Sequence, residues 1–207
     1  MKTSAVLSKL PLYRDEIRVV VQQFRRNFFD DDRVLEELVY CLCTPQTKAL
    51  CALTAVEKLF DKGALWQGEI SRIESVLRNS GVRFHRTKAR HIVDALKMFG
   101  DVLAVVRSGR SHVEIRRFLV DVVVGLGMKE ASHFLRNIGF DGLAILDRHI
   151  LRYMAANRII NKVDSPFSPW RYLDYERKFV SHAEKIGLTP AELDLLIWAS
   201  ATGRVLK

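Results

Sequence analysis

Only three cysteines occur in the 207 residues, at positions 41, 43 and 51, and none follows Cys51. A disulfide framework of the extracellular kind needs an even number, so the count points to a reducing compartment. As a metal site the cluster lacks a fourth ligand and a second paired group, and its neighbours are apolar, which leaves buried structural thiols as the reading. Long apolar runs are also missing. The most apolar internal stretch, FLVDVVVGLG, is too short to span a bilayer and contains Asp121. The N-terminal MKTSAVLSKLPLYRDEIR has no apolar segment with the length of a signal-peptide core, so the expected location is the cytoplasm, with no membrane partner. Strand-like alternation is scarce, and no internal repeat, low-complexity segment or long linker is found.

What is present is the material of a soluble globular protein: 48% hydrophobic and 28% charged residues, enough for one sizeable domain or two small lobes. The net charge of +9 and a pI near 9.7 point to a polyanionic partner, either DNA, RNA or an acidic membrane surface. A solubilising excess of basic side chains would account for the charge equally well. Helical periodicity runs through nearly the whole chain. Ile17, Val20, Val21, Phe24 and Phe28 share one helix face, and a second helix covers about 33–43. Thr44-Pro45 has the form of an N-cap followed by proline at the first helical position, predicting a third helix through Phe60. Further helices are expected at ISRIESVLRN, TKARHIVDALKMF, HVEIRRFLVDVV, KEASHFLRNIG and RHILRYMAAN, the last capped by Asp147. Two more start at Ser168-Pro169 and at the capping-box pattern Thr189-Pro190-Ala191-Glu192, the second ending at Gly203. The expected fold class is all-α, with about ten short helices.

FLVDVVVGLGMKEASHFL parses as helix, glycine hairpin, helix. Gly125 and Gly127 permit a tight turn with positive φ, and the turn amides together with the N-terminus of the next helix form a geometry suited to phosphate. A plain helix–turn–helix connection fits the same letters. Lys129 falls in the first turn of the second helix, where positive backbone dipoles and partial desolvation favour a neutral amine, the form that attacks an electrophilic carbon. A surface lysine is the ordinary alternative. Asp147 lies 18 residues on in the chain, after a helix and a short loop that can bring it back towards the lysine. A simple N-cap is its ordinary role.

Together, V-x-G-L-G-x-K-E-A, the helix after it and L-D-R-H resemble the lysine-bearing, bifunctional branch of the helix-hairpin-helix DNA glycosylase superfamily. Within it, KEASHFLRNIGF, LDRHIL and ELDLLIWASATGRVLK resemble the archaeal-type 8-oxoguanine DNA glycosylase/AP lyases, a family found also in some bacteria. The resemblance covers most of the chain and is weakest in the first 30 residues. It implies a base-excision repair enzyme acting on double-stranded DNA that contains 8-oxoguanine, working as a monomer in a prokaryotic cytoplasm. Lys129 matches the nucleophile that attacks C1′ of the damaged nucleotide and forms a Schiff base, from which β-elimination nicks the strand. Asp147 matches the carboxylate that assists lysine deprotonation and offsets positive charge on the sugar. Gly125, Leu126 and Gly127 match the phosphate anchor, a place where a monovalent cation sometimes sits; no other cofactor is implied.

The same resemblance assigns Gln46, expected in the N-terminal turn of a helix, to the polar residue that fills the gap left by a flipped base. Phe84 and Trp198 resemble the aromatic walls of the base pocket, although aromatics at helical spacing are more often core. Lys207 matches a terminal lysine that folds into the pocket and helps distinguish 8-oxoguanine from guanine. Oxidation turns N7 into a donor, so an acceptor such as a carboxylate rewards the lesion, and Asp194, one helical turn before Trp198, is a second candidate for base recognition. The absence of cysteine after Cys51 excludes the iron–sulfur loop usual in the endonuclease III-like branch, and the chain has no room for the N-terminal β-rich domain of the eukaryotic enzymes. The implied organisation is two helical lobes, 1–32 with 142–207 and 33–141, the second holding the hairpin at about 112–139, with the active site in the cleft between them. A glycosylase/AP lyase for oxidised pyrimidines and a non-catalytic DNA-binding helix-hairpin-helix module remain as alternatives.

Overall fold

The computed structural model describes residues 1–61, 63, 65, 68–163 and 168–207, and among these there is no β-strand. Among the described residues twelve α-helices follow one another: α1 (Thr3–Leu7), α2 (Leu10–Asn27), α3 (Asp31–Cys43), α4 (Ala49–Asp61), α5 (Ile70–Asn79), α6 (His85–Lys97), α7 (Phe99–Val106), α8 (His112–Val122), α9 (Met128–Asn137), α10 (Arg148–Ala156), α11 (Pro169–Lys185) and α12 (Pro190–Thr202). None is long and apolar enough to cross a membrane.

Short-range chemistry sets many of the helix starts. Asp30 caps α3 by accepting from the Arg33 N–H, and Ser168 does the same for Arg171 at the head of α11. Reciprocal capping boxes open α8 (Ser111 with Glu114) and α12 (Thr189 with Glu192), and Gly203, at φ +82°, closes α12. Two helices were not expected from periodicity: the five-residue α1, and α7, which the chain starts afresh at Phe99 after α6 stops at Lys97.

The Thr44-Pro45 expectation is corrected. Thr44 ends α3 rather than starting α4: its hydroxyl turns back to donate to the Cys41 carbonyl (3.0 Å), and residues 44–48 form a loop before α4 begins at Ala49. Gln46 therefore sits in a loop, exposed, with φ +54°, and not in the first turn of a helix.

The chain divides into two compact units. The first comprises residues 1–29 and 135–207, and its centre is α12, where Leu193, Leu195, Leu196, Ile197 and Ala199 are all buried. A helix apolar on all sides has to be enclosed, and α1, α2, α10 and α11 pack against it. In the same unit Gly139 (φ +93°) lets the chain leaving α9 lie on the end of α2, since a Cβ there would come within 2.8 Å of Arg25 Cα. The second unit comprises residues 30–134 and is centred on α3, which buries Val34, Leu35, Leu38, Val39, Tyr40 and Leu42. Helices α4, α6 and α7 cover it, α5 packs on α4 and α6, and α8 packs on α7. Cys41 and Cys43 are buried there as free thiols, burial pushing Cys43 up to about 12, and Cys51 is a half-buried free thiol. The boundary between the units falls within α9, between Phe134 and Leu135.

Candidate active site and nucleic-acid interface

The second unit carries the hairpin. Between α8 and α9 the chain turns at Gly125, whose φ of +99° and close approach to the His91 ring both demand glycine. Leu126 is 4% exposed and anchors the turn in the core, its N–H donating to the Val123 carbonyl (3.1 Å). Gly127 differs from expectation, being absent from the left-handed region; what it provides is room, because a Cβ there would press on Glu130 Oε2 at 3.2 Å. Its carbonyl accepts the first helical bond of α9, from the Ala131 N–H (2.9 Å). The amides of the first turn of α9 have no intrahelical acceptor, and at an exposed turn in a chain of net charge +9 they face an environment suited to phosphate. Below the turn, Arg116 of α8, almost wholly buried, donates to Ser132 Oγ of α9 (3.0 Å), and that hydroxyl donates to the Met128 carbonyl (2.8 Å). The two hairpin helices are thus fastened at the turn that carries the lysine.

Lys129 lies in this first turn, its side chain one-third exposed, with its ammonium 3.0 Å from Glu130 Oε1. Glu130 was not singled out from sequence, since adjacent residues on a helix rarely face each other. Close by is a second lysine, Lys88 of α6, which feels the fields of both Lys129 and Glu130. Lys88 is buried and its ammonium donates to the carbonyl of Cys43, the last residue of α3, and to the Pro45 carbonyl and Thr47 Oγ1 in the loop that carries Gln46. Desolvation, the largest cause, lowers Lys88 to about 8. Thr47 Oγ1 also accepts the Arg83 N–H (3.2 Å), tying the same loop to the head of α6. There Phe84 stands 53% exposed at φ +56°, with the Arg83 guanidinium 5.4 Å from its ring centre. Exposure rules out the core reading for Phe84 and leaves a flat aromatic surface beside Gln46's loop.

The first unit carries the rest of the predicted residues. Asp147 is the N-cap of α10, and Oδ1 accepts the amides of His149 (2.8 Å) and Ile150 (2.9 Å). Its ordinary role is thus present, yet among the described residues Oδ2 takes no hydrogen bond and is left for other work. His149, in the same turn, packs edge-to-face on Trp198 of α12, ring centres 5.0 Å apart. Trp198 is half-buried, and its indole N–H has no acceptor among the described residues. Lys207 is also half-buried, following Val205, which is 7% exposed and pins the tail to the unit.

Asp194 does not present itself as a base-recognition group. It is buried and ion-paired with Arg136, itself 5% exposed and held by Asn137 Oδ1 and by the Phe24 ring. Burial raises Asp194 from 3.8 to about 6 against the lowering effect of Arg136, and the charge of Asp147 adds to the rise. Asp194 and Asp147 are therefore electrostatic neighbours, and the Asp194 carboxylate is committed to Arg136.

With this geometry in hand, the likeness to known proteins is specific. A sequence model of the 8-oxoguanine DNA glycosylase family matches residues 17–188. A Metallosphaera sedula protein named 8-oxoguanine DNA glycosylase/AP lyase is 39% identical over 189 residues, covering 90% of this chain and 91% of that one. The crystal structure of the Methanocaldococcus jannaschii 8-oxoguanine glycosylase/lyase, in complex with a 15mer DNA containing 8-oxoguanine, superposes with a TM-score of 0.91 at 32% identity, covering 99% and 98% of the two chains. The 8-oxoguanine DNA glycosylase of Thermotoga maritima matches with a TM-score of 0.90 at 29% identity, covering 98% and 96%. Sequence and all-α architecture agree over nearly the full length, and the chain belongs to the 8-oxoguanine DNA glycosylase family, with its helix-hairpin-helix fold.

Proposed function

We propose that this protein excises 8-oxoguanine from double-stranded DNA and then nicks the strand, with Lys129 as nucleophile. The observation that carries this is the position of Lys129: first turn of α9, immediately after the Gly125–Gly127 hairpin, in a chain whose relatives over nine-tenths of its length are named 8-oxoguanine DNA glycosylase/AP lyase. The hairpin amides hold a backbone phosphate, and the basic surface draws the duplex in. The damaged nucleotide leaves the stack, Gln46 fills the gap, and Phe84 and Trp198 flank the base.

Chemistry starts when Lys129 gives up its proton and leaves its pairing with Glu130. The amine attacks C1′, the bond from C1′ to the base breaks, and the base departs with the electron pair and takes up a proton. Opening of the sugar ring gives a Schiff base between C1′ and Nζ. Loss of a proton from C2′ then expels the 3′ phosphate and nicks the strand. Asp147, with Oδ2 unengaged, accepts the lysine proton and offsets positive charge on the sugar. Lys207 contributes to the choice of 8-oxoguanine over guanine. The expected location is the cytoplasm of a prokaryotic cell, a reading supported by the prokaryotic relatives.

Borohydride trapping tests the reading. Wild-type protein and 8-oxoguanine duplex should give a covalent adduct that Lys129→Gln does not form. No wild-type adduct, or an adduct that survives the substitution, overturns the mechanism. Duplexes carrying an oxidised pyrimidine should be cleaved far more slowly, and Lys207→Ala should narrow that gap; an unchanged lesion preference removes Lys207 from base recognition.

A further inference from the structure

The mechanism above makes no use of Lys88, although its setting is costly. Lys88 is 4% exposed, and a lysine ammonium out of water has to be repaid by hydrogen bonds. It has three N–H groups and three acceptors: the Cys43 carbonyl (2.7 Å), the Pro45 carbonyl (2.7 Å) and Thr47 Oγ1 (2.9 Å). All three acceptors belong to one five-residue segment at the junction of α3 and α4. Between Pro45 and Thr47 stands Gln46, exposed and at φ +54°, a left-handed conformation that is unfavourable for any residue but glycine. Such strain persists only where the surroundings over-determine it. With the carbonyls on either side of Thr44 and the hydroxyl of Thr47 drawn inward to one cation, the loop has little choice but to present Gln46 outward. Thr47 also accepts the Arg83 N–H, so the same grip fixes the loop against the neighbour of Phe84.

We propose that Lys88 is the positioning residue for Gln46, holding the 43–47 loop in the one conformation from which Gln46 enters the space vacated by an extruded base. This rests on the assignment of Gln46 to gap filling under the proposed function. Lys88 touches neither substrate nor reacting atoms; it acts through the loop. A solely structural role would lower every activity together, in proportion to the folded fraction. A positioning role falls hardest on the step that needs a base held out of the stack.

The experiment compares two rates on the same duplex: single-turnover excision of 8-oxoguanine, and nicking of a preformed abasic site, where no base has to be unstacked. For Lys88→Met the ratio of excision to nicking should fall by about tenfold or more, the scale of loss that small displacements of remote groups produce. Lys88→Arg, which keeps charge and donors, should recover part of that ratio. Gln46→Ala should lower the ratio in wild type yet change it less than about twofold in Lys88→Met, because the two substitutions remove one coupled function. Thermal melting accompanies each variant, and Thr47→Val, which removes one acceptor of the three, gives the same comparison should Lys88→Met fail to fold. Equal loss of both activities, or full multiplication of the Gln46 and Lys88 effects, overturns the proposal. Wild-type protein that neither excises nor nicks overturns the proposed function instead.

Discussion

Replacing Gly125 by alanine separates two physical causes that act at one atom. A Cβ at this position would lie 2.4 Å from His91 Nδ1, too close for any contact, with Cγ at 3.1 Å and Cε1 at 3.2 Å tight behind it. The backbone there has φ +99°, which L-residues rarely adopt. The conformational part costs about 1–3 kcal/mol. The steric part costs about 1–3 kcal/mol, towards the lower end because a half-buried imidazole can swing aside. Together they amount to about 2–6 kcal/mol. In a chain of this size each kcal/mol moves the melting temperature by about 2–4 °C, so a drop on the order of 10 °C is expected. His91→Ala removes the obstacle and leaves the backbone cost, so Gly125→Ala should be milder in that background by the steric share. Thermal melting of the four proteins gives this coupling directly. The reasoning is refuted if Gly125→Ala melts within about 1 °C of wild type, or if its cost is the same with and without the His91 ring. The surviving folded fraction should also bind lesion duplex more weakly, since the turn proposed to anchor a backbone phosphate has been re-formed.

Two further substitutions test the first unit. Asp147→Asn keeps an oxygen for the His149 and Ile150 amides, and asparagine caps helices as well as aspartate does, so melting should shift by no more than about 1–2 °C. Excision should nevertheless fall by about 100-fold or more at unchanged duplex affinity, and a parallel loss of affinity would refute a catalytic role. Asp194→Asn is a test by pH. The folded protein holds this proton more tightly than the unfolded chain does, about 6 against 3.8, so the contribution of Asp194 to stability is greatest at low pH and declines as pH rises through that window. The asparagine variant lacks this decline, so its stability relative to wild type should improve by an order of 2–3 kcal/mol between pH 4 and pH 6. Above that range it remains penalised for leaving buried Arg136 without an ionised partner. Urea unfolding at several pH values reads the difference, and a flat profile between 4 and 6 would show that Asp194 is not perturbed.

What was legible in the sequence, and what was not, divides by the range of the interaction. Thr189 with Glu192, Ser168 before Pro169, Asp147 before Arg148 and Gly203 after Thr202 are devices whose partners lie within four residues. Each marks a helix end where periodicity placed one. Thr44-Pro45 uses the same vocabulary and means the opposite, because what decides it is a lysine about forty residues away that captures the carbonyls on both sides. Asp194 reads as a pocket acceptor until Arg136, 58 residues distant, takes its carboxylate. Buried charges are satisfied by whatever the fold brings near, and a linear pattern carries no record of that. Natural sequences agree with local rules nearly everywhere, so a place where the rule fails while a buried cation and a left-handed side chain coincide is where function outranks local preference. Gln46, Thr47 and Lys88 meet that condition together. The failure of the Thr-Pro signal and the outward position of Gln46 therefore have one cause, and substitution of Lys88 should disturb both at once.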